Sequence, residues 1–101
     1  MIIITGSVTV QTDKREEALA LGCEHSARSR KETGCIAHNC HVDAENPLRL
    51  HFFEKWEDAA SVKAHFAVPE SRQFMQQMGA FAKAAPDLEI YRAEAVDPAT
   101  L

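Results

Sequence analysis

Four segments of the chain alternate apolar and polar positions with a period of two, which is typical of strands that bury one face. They cover residues 2–10, 35–43, 48–57 and 88–96. In the first segment, Ile2, Ile4, Val8 and Val10 fall on the expected buried face. The run Ala-Glu-Asn-Pro at 44–47 supplies turn residues between the second and third segments, so these two strands are predicted to form a hairpin.

Apolar positions with helical spacing predict one helix after the first strand and another, in two pieces, after the third. Asp13 and Glu16 resemble a capping box that opens the first helix. We expect this helix to run to about Lys31, with Gly34 just past its end as a stop signal. Its thin apolar stripe consists of Leu19, Leu21 and Cys23.

The second helical region is divided by a proline. Asp58 can cap a short helix in which Val62 and Phe66, four residues apart, are expected to point to the core. Pro69 opens the second piece, which Pro86 ends. The apolar stripe of this piece consists of Phe74, Met78, Phe81, Ala82 and Ala85.

The resulting order is β-α-β-β-α-β, the ferredoxin-like split βαβ arrangement, in which helices cover one face of an antiparallel sheet. A chain of 101 residues, 46% hydrophobic and 26% charged, has the size and composition of one compact domain. We therefore expect a single α+β domain over residues 1–101, with a frayed tail at 97–101. The other face of the sheet carries half-apolar strands and is left bare, so we expect a homodimer.

The charge balance argues against polyanionic partners. Eleven Lys and Arg against fifteen Asp and Glu give a formal net charge of -4, so we expect no nucleic-acid ligand and no anionic membrane surface. The first apolar run has no basic leader and no long hydrophobic continuation, which predicts a cytoplasmic protein. The three cysteines, Cys23, Cys35 and Cys40, lack a CxxC pair, as expected in a reducing compartment.

Charged and titratable residues on buried faces mark a candidate site. Glu54 falls between Phe52 and Trp56 on the apolar face of the third strand, where an unpaired carboxylate would be costly. His38 falls on the apolar face of the second strand, together with Ile36, Cys40 and Val42. His65 lies three residues after Val62, at the edge of the core face of the short helix. These residues would supply a carboxylate, a titratable base and an aromatic wall to one apolar pocket. Each also has an ordinary structural explanation, as an ion pair or as packing.

A metal site on the hairpin is not expected, although five side chains there could act as ligands. They are Cys35, His38, Cys40, His41 and His51. Alternation along a strand would divide these ligands between both sides of the sheet, which does not suit a tetrahedral site. Glycine-rich phosphate loops are also missing, so neither a metal nor another cofactor is predicted.

Three short motifs, in this order and spacing, resemble the antibiotic biosynthesis monooxygenase family, and in particular its small quinol monooxygenase branch. They are Glu32-Thr33-Gly34-Cys35, Phe53-Glu54-Lys55-Trp56-Glu57 and Ala64-His65-Phe66, with Pro69 four residues after the histidine. The resemblance extends from the first strand to about Val96.

The resemblance implies a dimeric α/β barrel with one pocket per subunit. Some members oxidise quinols or polycyclic phenols with O2 and need neither metal nor flavin, so it implies a cofactor-free monooxygenase whose partners are a small aromatic substrate and O2. His65 would be the base or proton shuttle, Trp56 the wall against a flat substrate, and Glu54 the group that orients or polarises His65 or the substrate. The residues expected to bind substrate are His38, Phe52, Phe66 and Phe74.

The chain departs from the family pattern at three places. Many relatives have a second histidine directly after the proline, where this chain has Glu70, and relatives often have tyrosine in place of His38. The haem-degrading branch uses an asparagine in the first strand, where the only polar residues here are Thr5, Ser7 and Thr9. Haem degradation is therefore not the expected activity.

Two other functions remain open on the same scaffold. A close branch resembles isomerases of small phosphorylated signal sugars, and Arg49, Arg72 and Arg92 are the candidate phosphate ligands, although they form no basic cluster in the sequence. The third alternative is a non-catalytic dimer that binds a small ligand, because a fold does not fix a function.

Overall fold

Seven main elements follow one another along residues 1–101, all of which the computed structural model describes. They are β1 (Ile2–Thr9), α1 (Arg15–Ser29), β2 (Cys35–Val42), β3 (Arg49–Trp56), α2 (Ala59–Ala67), α3 (Pro69–Phe81) and β4 (Asp87–Arg92). The strands form one sheet in the order β2-β3-β1-β4, with every neighbouring pair antiparallel. The predicted ferredoxin-like order, with the second helix in two pieces, is confirmed.

The register of β1 against β3 divides the sheet into two faces. Ile4 lies opposite Glu54, and Thr5 lies opposite Phe53. Because successive side chains point to opposite sides, Ile4 and Glu54 face the helices while Thr5 and Phe53 face away from them. The buried apolar residues of the helix-facing side are Ile2, Ile4, Val8, Val10, Leu50, Phe52 and Trp56. The predicted buried faces of the first and third strands are therefore confirmed.

Strand β2 departs from the alternation that its sequence predicts. Its pairing with β3 shifts between Cys35 and Ala37, so Ile36 is an extra residue at an irregularity, and its side chain is exposed instead of buried. Val42, at the end of the strand beside the hairpin loop, is also exposed. The prediction that both face the core was wrong, whereas His38, between them, is completely buried.

Helix α1 begins later than the capping signal predicts. Residues 12–14 form a short 3-10 turn, the α-helix starts at Arg15, and no side chain caps either element, so the capping box at Asp13 was wrong. The helix ends at Ser29, and Gly34 follows it with a φ of +83°. The buried positions of the helix are Ala18, Gly22, His25, Ser26 and Ser29, instead of the predicted leucine stripe.

Small side chains on this face allow α1 to lie close to the sheet. A Cβ at Gly22 would lie 2.8 Å from Cys40 Sγ and 3.0 Å from Phe52 Cζ, which is too close for an undisturbed packing. Glycine is therefore required where the helix crosses β2 and β3. Leu19 and Leu21 are half-buried at the edge of the same core cluster.

Helix α2 is capped as predicted, because Asp58 Oδ1 accepts a hydrogen bond of 2.8 Å from the Ser61 amide. Its buried residues are Val62 and His65, whereas Phe66 is 42% exposed. The expectation that Phe66 points to the core and His65 lies at the edge was therefore wrong. His65 and Phe66, three and four residues after Val62, both lie close to the helix face that carries Val62. Packing against the sheet therefore decides which of the two is buried.

Helix α3 and strand β4 are both shorter than predicted. The helix begins at Pro69 as expected but ends at Phe81 instead of just before Pro86, because Ala82 is extended and pairs with Val10 after the end of β1. Strand β4 ends at Arg92, opposite Ile2, and beyond it the Ala93 amide still donates a hydrogen bond of 2.9 Å to the Met1 carbonyl oxygen.

The last residues form a short 3-10 turn at Pro98–Thr100, where Asp97 Oδ1 accepts a hydrogen bond from the Ala99 amide. None of the helices combines the length and the apolar character needed to cross a membrane.

Candidate active site

A cavity of about 360 Å³ lies between the helix-facing side of the sheet and the three helices. The lining residues are Gly6, Ser7, Val8, His25, Phe52, Glu54, His65, Phe66, Ser71, Arg72, Phe74, Met75, Met78, Pro86, Asp87 and Leu88. Among the buried lining residues, only His25, Glu54 and His65 are titratable, so they form one polar end of a mainly apolar space. Its volume lies within the range of small-molecule sites.

Glu54 is the carboxylate of this polar end. Trp56 Nε1 donates a hydrogen bond of 2.9 Å to Glu54 Oε1, and His38 Nε2 lies 3.3 Å from the same oxygen. Burial raises the pKa of Glu54, but the interaction with His38, the Trp56 hydrogen bond and the charge of His65 together outweigh burial, so the pKa lies below its ordinary value. Glu54 is therefore ionised at neutral pH.

His38 lies behind Glu54, away from the cavity. Its Nδ1 is 2.8 Å from Ser26 Oγ, and its Nε2 lies 3.3 Å from Glu54 Oε1 without a hydrogen bond of good geometry. Since a carboxylate only accepts hydrogen bonds, a proton on Nε2 is favoured, which leaves Nδ1 to accept from the serine hydroxyl. His38 thus connects α1 to the carboxylate on β3.

His65 has a carboxylate at each ring nitrogen. Its Nδ1 donates a hydrogen bond of 2.8 Å to Glu32 Oε1, in the loop after α1, and its Nε2 lies 3.8 Å from Glu54 Oε1. Because the Nδ1 proton is engaged by Glu32, the neutral ring has its lone pair on Nε2. The ring packs against Trp56 with a centroid distance of 4.6 Å, which fixes its plane.

His25 brings a third imidazole to the same end. Arg28 Nη2 donates a hydrogen bond of 2.9 Å to His25 Nδ1, and the ring stacks on Phe74 at a centroid distance of 3.8 Å and an interplanar angle of 4°. Burial, the neighbouring imidazoles of His38 and His65, and the Arg28 guanidinium together lower the pKa of His25 to about 3. This imidazole is therefore neutral at physiological pH.

Comparison with known proteins identifies the family. Residues 1–77 match the family model for antibiotic biosynthesis monooxygenases. The chain belongs to this family. Its sequence is 30% identical, over 91 residues, to the uncharacterized protein sll1783 of Synechocystis, an alignment that covers 90% of this chain and 62% of that protein. The chain thus spans less than two thirds of the length of this relative.

Solved structures show the same fold. A crystal structure of an antibiotic biosynthesis monooxygenase superposes with a TM-score of 0.86 at 21% identity, covering 94% of this chain and 100% of that one. A conserved protein from Bacteroides thetaiotaomicron, described as of unknown function and a possible oxidoreductase, superposes with a TM-score of 0.83 at 27% identity, covering 89% and 94% of the two chains. The predicted family and its α+β ferredoxin-like fold are confirmed.

The structure brings most of the predicted site residues of this family member to one place, with two changes of position. Phe52, Phe66 and Phe74 line the cavity together with Glu54 and His65. Trp56 and His38 are completely buried behind the cavity wall and do not line it. Any wall against a flat substrate is therefore made by the three phenylalanines instead of by the tryptophan.

Two residues of the site carried a weaker signal in the sequence. Glu32 belongs to the family motif, but it lies 33 positions before His65, so only the fold shows that the two are paired. His25 lies seven positions after Ala18 and three after Gly22, on the stripe of small residues that α1 buries. A titratable residue on that stripe is the signal that could have identified it.

One ring nitrogen from each of His25, His38 and His65 lies within 4.8 Å of the others, a spacing that could suit a metal ion. The hydrogen bonds of the site do not favour this use. Arginine can only donate, so Arg28 makes His25 Nδ1 an acceptor and leaves the proton of the neutral ring on Nε2. A nitrogen that carries a proton cannot coordinate a metal. His25 Nε2–H is therefore suited to donate a hydrogen bond instead.

Proposed function

We propose that this chain is an oxidoreductase that uses O2 to oxidise a flat phenolic or quinol-like molecule without a metal or flavin. One observation carries the proposal: His65, whose Nδ1 is held by Glu32, directs its Nε2 to the polar end of an apolar cavity. A base at that position can remove the proton of a phenol, and the resulting anion is rich enough in electrons to pass one to O2.

Glu32 and Glu54 support the proton transfer electrostatically. When His65 accepts the proton, its ring becomes an imidazolium between two carboxylates, at 2.8 Å from Glu32 Oε1 and 3.8 Å from Glu54 Oε1. Opposite charges at these distances in a buried site stabilise the ion pair that forms. Trp56 then acts as a positioning residue, because it holds Glu54 by its Nε1 hydrogen bond and packs against the His65 ring.

The cavity suits an aromatic substrate of modest size. Phe52, Phe66 and Phe74 supply aromatic surface, and Met75 and Met78 supply adaptable apolar contacts. Gly6 contributes no side chain, which leaves space above β1. These residues support a ligand whose body is apolar and whose reactive hydroxyl lies at the histidine end.

The test is oxygen uptake by metal-stripped protein with a panel of reduced quinones and polycyclic phenols. We expect consumption above the autoxidation blank for the wild type and at least a hundredfold less for His65→Ala, in line with loss of general base catalysis. Consumption should be unchanged for Lys63→Ala, which removes an exposed side chain of the same helix. Full turnover by His65→Ala would contradict the assigned role. Uptake no higher than the blank, together with tight binding of one ligand, would favour the non-catalytic binding function instead.

The isomerase alternative finds little support in the positions of the arginines. Arg49 extends along the outer face of the sheet, where it donates hydrogen bonds to Ser7 and Thr9. Of the three candidates for holding a phosphate, only Arg72 lines the cavity. A single cation in a mainly apolar space is a poor match for a phosphorylated sugar.

We also propose that the outer face of the sheet joins two copies of this chain. Phe53 and Tyr91 are exposed there, on the side that no helix covers. Aromatic side chains on an uncovered sheet face are typical of an interface. Light scattering coupled to size exclusion should give a dimer for the wild type and a monomer for Phe53→Lys. A monomeric wild type would contradict this assembly.

A further inference from the structure

His25 is the one buried titratable group of the cavity that the proposed proton transfer leaves without a role. It lines the cavity from α1 with an exposed fraction of 4%, and its only side-chain hydrogen bond is the one to Arg28 through Nδ1. Its Nε2 has no hydrogen-bond partner in the protein and is accessible to solvent. The ring therefore has an unused nitrogen at the polar end of the cavity.

The protonation of that nitrogen follows from its surroundings. Arginine carries only donors, so Nδ1 must accept from Arg28. Burial and the neighbouring cations disfavour a second proton on the ring. The stable form of His25 is thus the neutral tautomer with hydrogen on Nε2, and this form is a donor toward the cavity.

The ring is also held in place. It stacks face to face on Phe74, and the Ser29 hydroxyl donates a hydrogen bond of 2.7 Å to the His25 carbonyl oxygen one turn back along α1. Its centroid lies 5.4 Å from that of His65. A fixed donor and a fixed proton acceptor thus lie side by side at the same end of the cavity.

We propose that His25 is a further catalytic residue, whose Nε2–H donates a hydrogen bond to the substrate oxygen as that oxygen becomes an anion. This inference rests on the proposed function and narrows its substrate class to planar aromatics with an ionisable hydroxyl at one edge. The phenolic proton passes to His65 Nε2, and the negative charge left on the oxygen is bound by His25 Nε2–H. A preorganised donor directed at developing charge is the arrangement that stabilises an oxyanion.

The test measures binding instead of turnover, with 4-nitro-1-naphthol as the probe, because its phenolate absorbs visible light. Dissociation constants are measured anaerobically, at a pH where the free probe is ionised, for the wild type, His25→Phe and His25→Gln. Phenylalanine keeps the stacking on Phe74 but removes the donor, whereas glutamine offers an amide N–H in place of Nε2–H. The methyl ether of the probe, which cannot ionise, and Lys63→Ala, at an exposed position of α2, serve as controls.

We expect His25→Phe to bind the phenolate at least tenfold more weakly, as for the loss of one charge-assisted hydrogen bond. His25→Gln should recover most of this affinity, and the methyl ether should bind equally to all variants. Phenolate binding that is unchanged in His25→Phe overturns the role of His25 and leaves the oxygen-uptake test of His65 standing. A wild type that neither binds the probe nor consumes O2 overturns both proposals.

Nitrogen-15 NMR gives a second measurement that does not depend on any ligand. Long-range proton–nitrogen correlations should show His25 as the Nε2–H tautomer, uncharged between pH 5 and pH 8. A proton on Nδ1 would contradict the hydrogen bond from Arg28 and with it the proposed donor.

Discussion

The burial of a neutral His25 predicts that the protein loses stability in mild acid. Its pKa falls from the ordinary 6.5 to about 3 in the folded state. An unfolded chain therefore takes up a proton on this side chain near pH 6.5, whereas the folded chain does so only near pH 3. Stability is fully present above pH 6.5 and declines as the pH falls toward 3, because protons pull the equilibrium toward the unfolded state.

The size of the effect follows from the width of this window. Each pH unit within it costs about 1.4 kcal/mol, so the free energy of unfolding at pH 5 should be about 2 kcal/mol lower than at pH 7.5 through His25 alone. That is a large fraction of the 5–15 kcal/mol that is typical of native domains. Since the ring is well buried, solvent screening does not reduce this figure greatly.

The contribution of His25 is isolated by urea unfolding of the wild type and His25→Phe. Both proteins are measured at pH 5 and at pH 7.5, at one protein concentration. Phenylalanine keeps the volume and the stacking on Phe74 but cannot titrate. We expect the wild type to lose about 2 kcal/mol more than the variant between the two pH values, while Lys63→Ala should behave as the wild type because Lys63 is exposed. If the wild type and His25→Phe lose the same amount of stability, His25 is not a buried neutral base and the reasoning fails.

Substitutions at three further positions test the packing around the site and the cap of α2. Gly22→Ala should lower the free energy of unfolding by about 1–3 kcal/mol in urea, although alanine favours helix, because its Cβ would collide with Cys40 and Phe52. Gly6→Leu should weaken binding of the nitronaphthol at least tenfold, whereas Gly6→Ala, whose Cβ meets only ordinary contacts, should bind as the wild type does. Asp58→Ala should lower the midpoint of thermal unfolding through loss of the α2 cap.

The strands and the carboxylate of the site were predictable because β3 has a strict period of two. A charged residue between Phe52 and Trp56 on an apolar face stands out in any register, and Glu54 is indeed buried there. The irregularity at Ile36 was not predictable, since one extra residue in β2 leaves no mark on the hydrophobic pattern. The early end of α3 depends on a pairing between Ala82 and Val10 that joins distant parts of the chain.

The helical part of the site was harder to predict for a different reason. The buried face of α1 is made of Ala18, Gly22, Ser26 and Ser29 around His25, so hydrophobicity does not distinguish it from the exposed faces. Close approach of the helix to the sheet selects these small residues, and that approach is a tertiary property. The rotation of α2 that buries His65 instead of Phe66 likewise depends on what the helix packs against.

Three histidines of one chemical type thus have three different environments in the same core. Glu32 accepts a hydrogen bond from His65 Nδ1, which leaves Nε2 of the neutral ring as an acceptor. Arg28 donates a hydrogen bond to His25 Nδ1, which leaves Nε2–H of that ring as a donor. Ser26 and Glu54 lie at the two nitrogens of His38, and this ring is completely buried and does not line the cavity. The partner at one ring nitrogen therefore decides whether the other nitrogen donates or accepts a hydrogen bond. In this cavity, Glu32 makes His65 the proton acceptor and Arg28 makes His25 the hydrogen-bond donor.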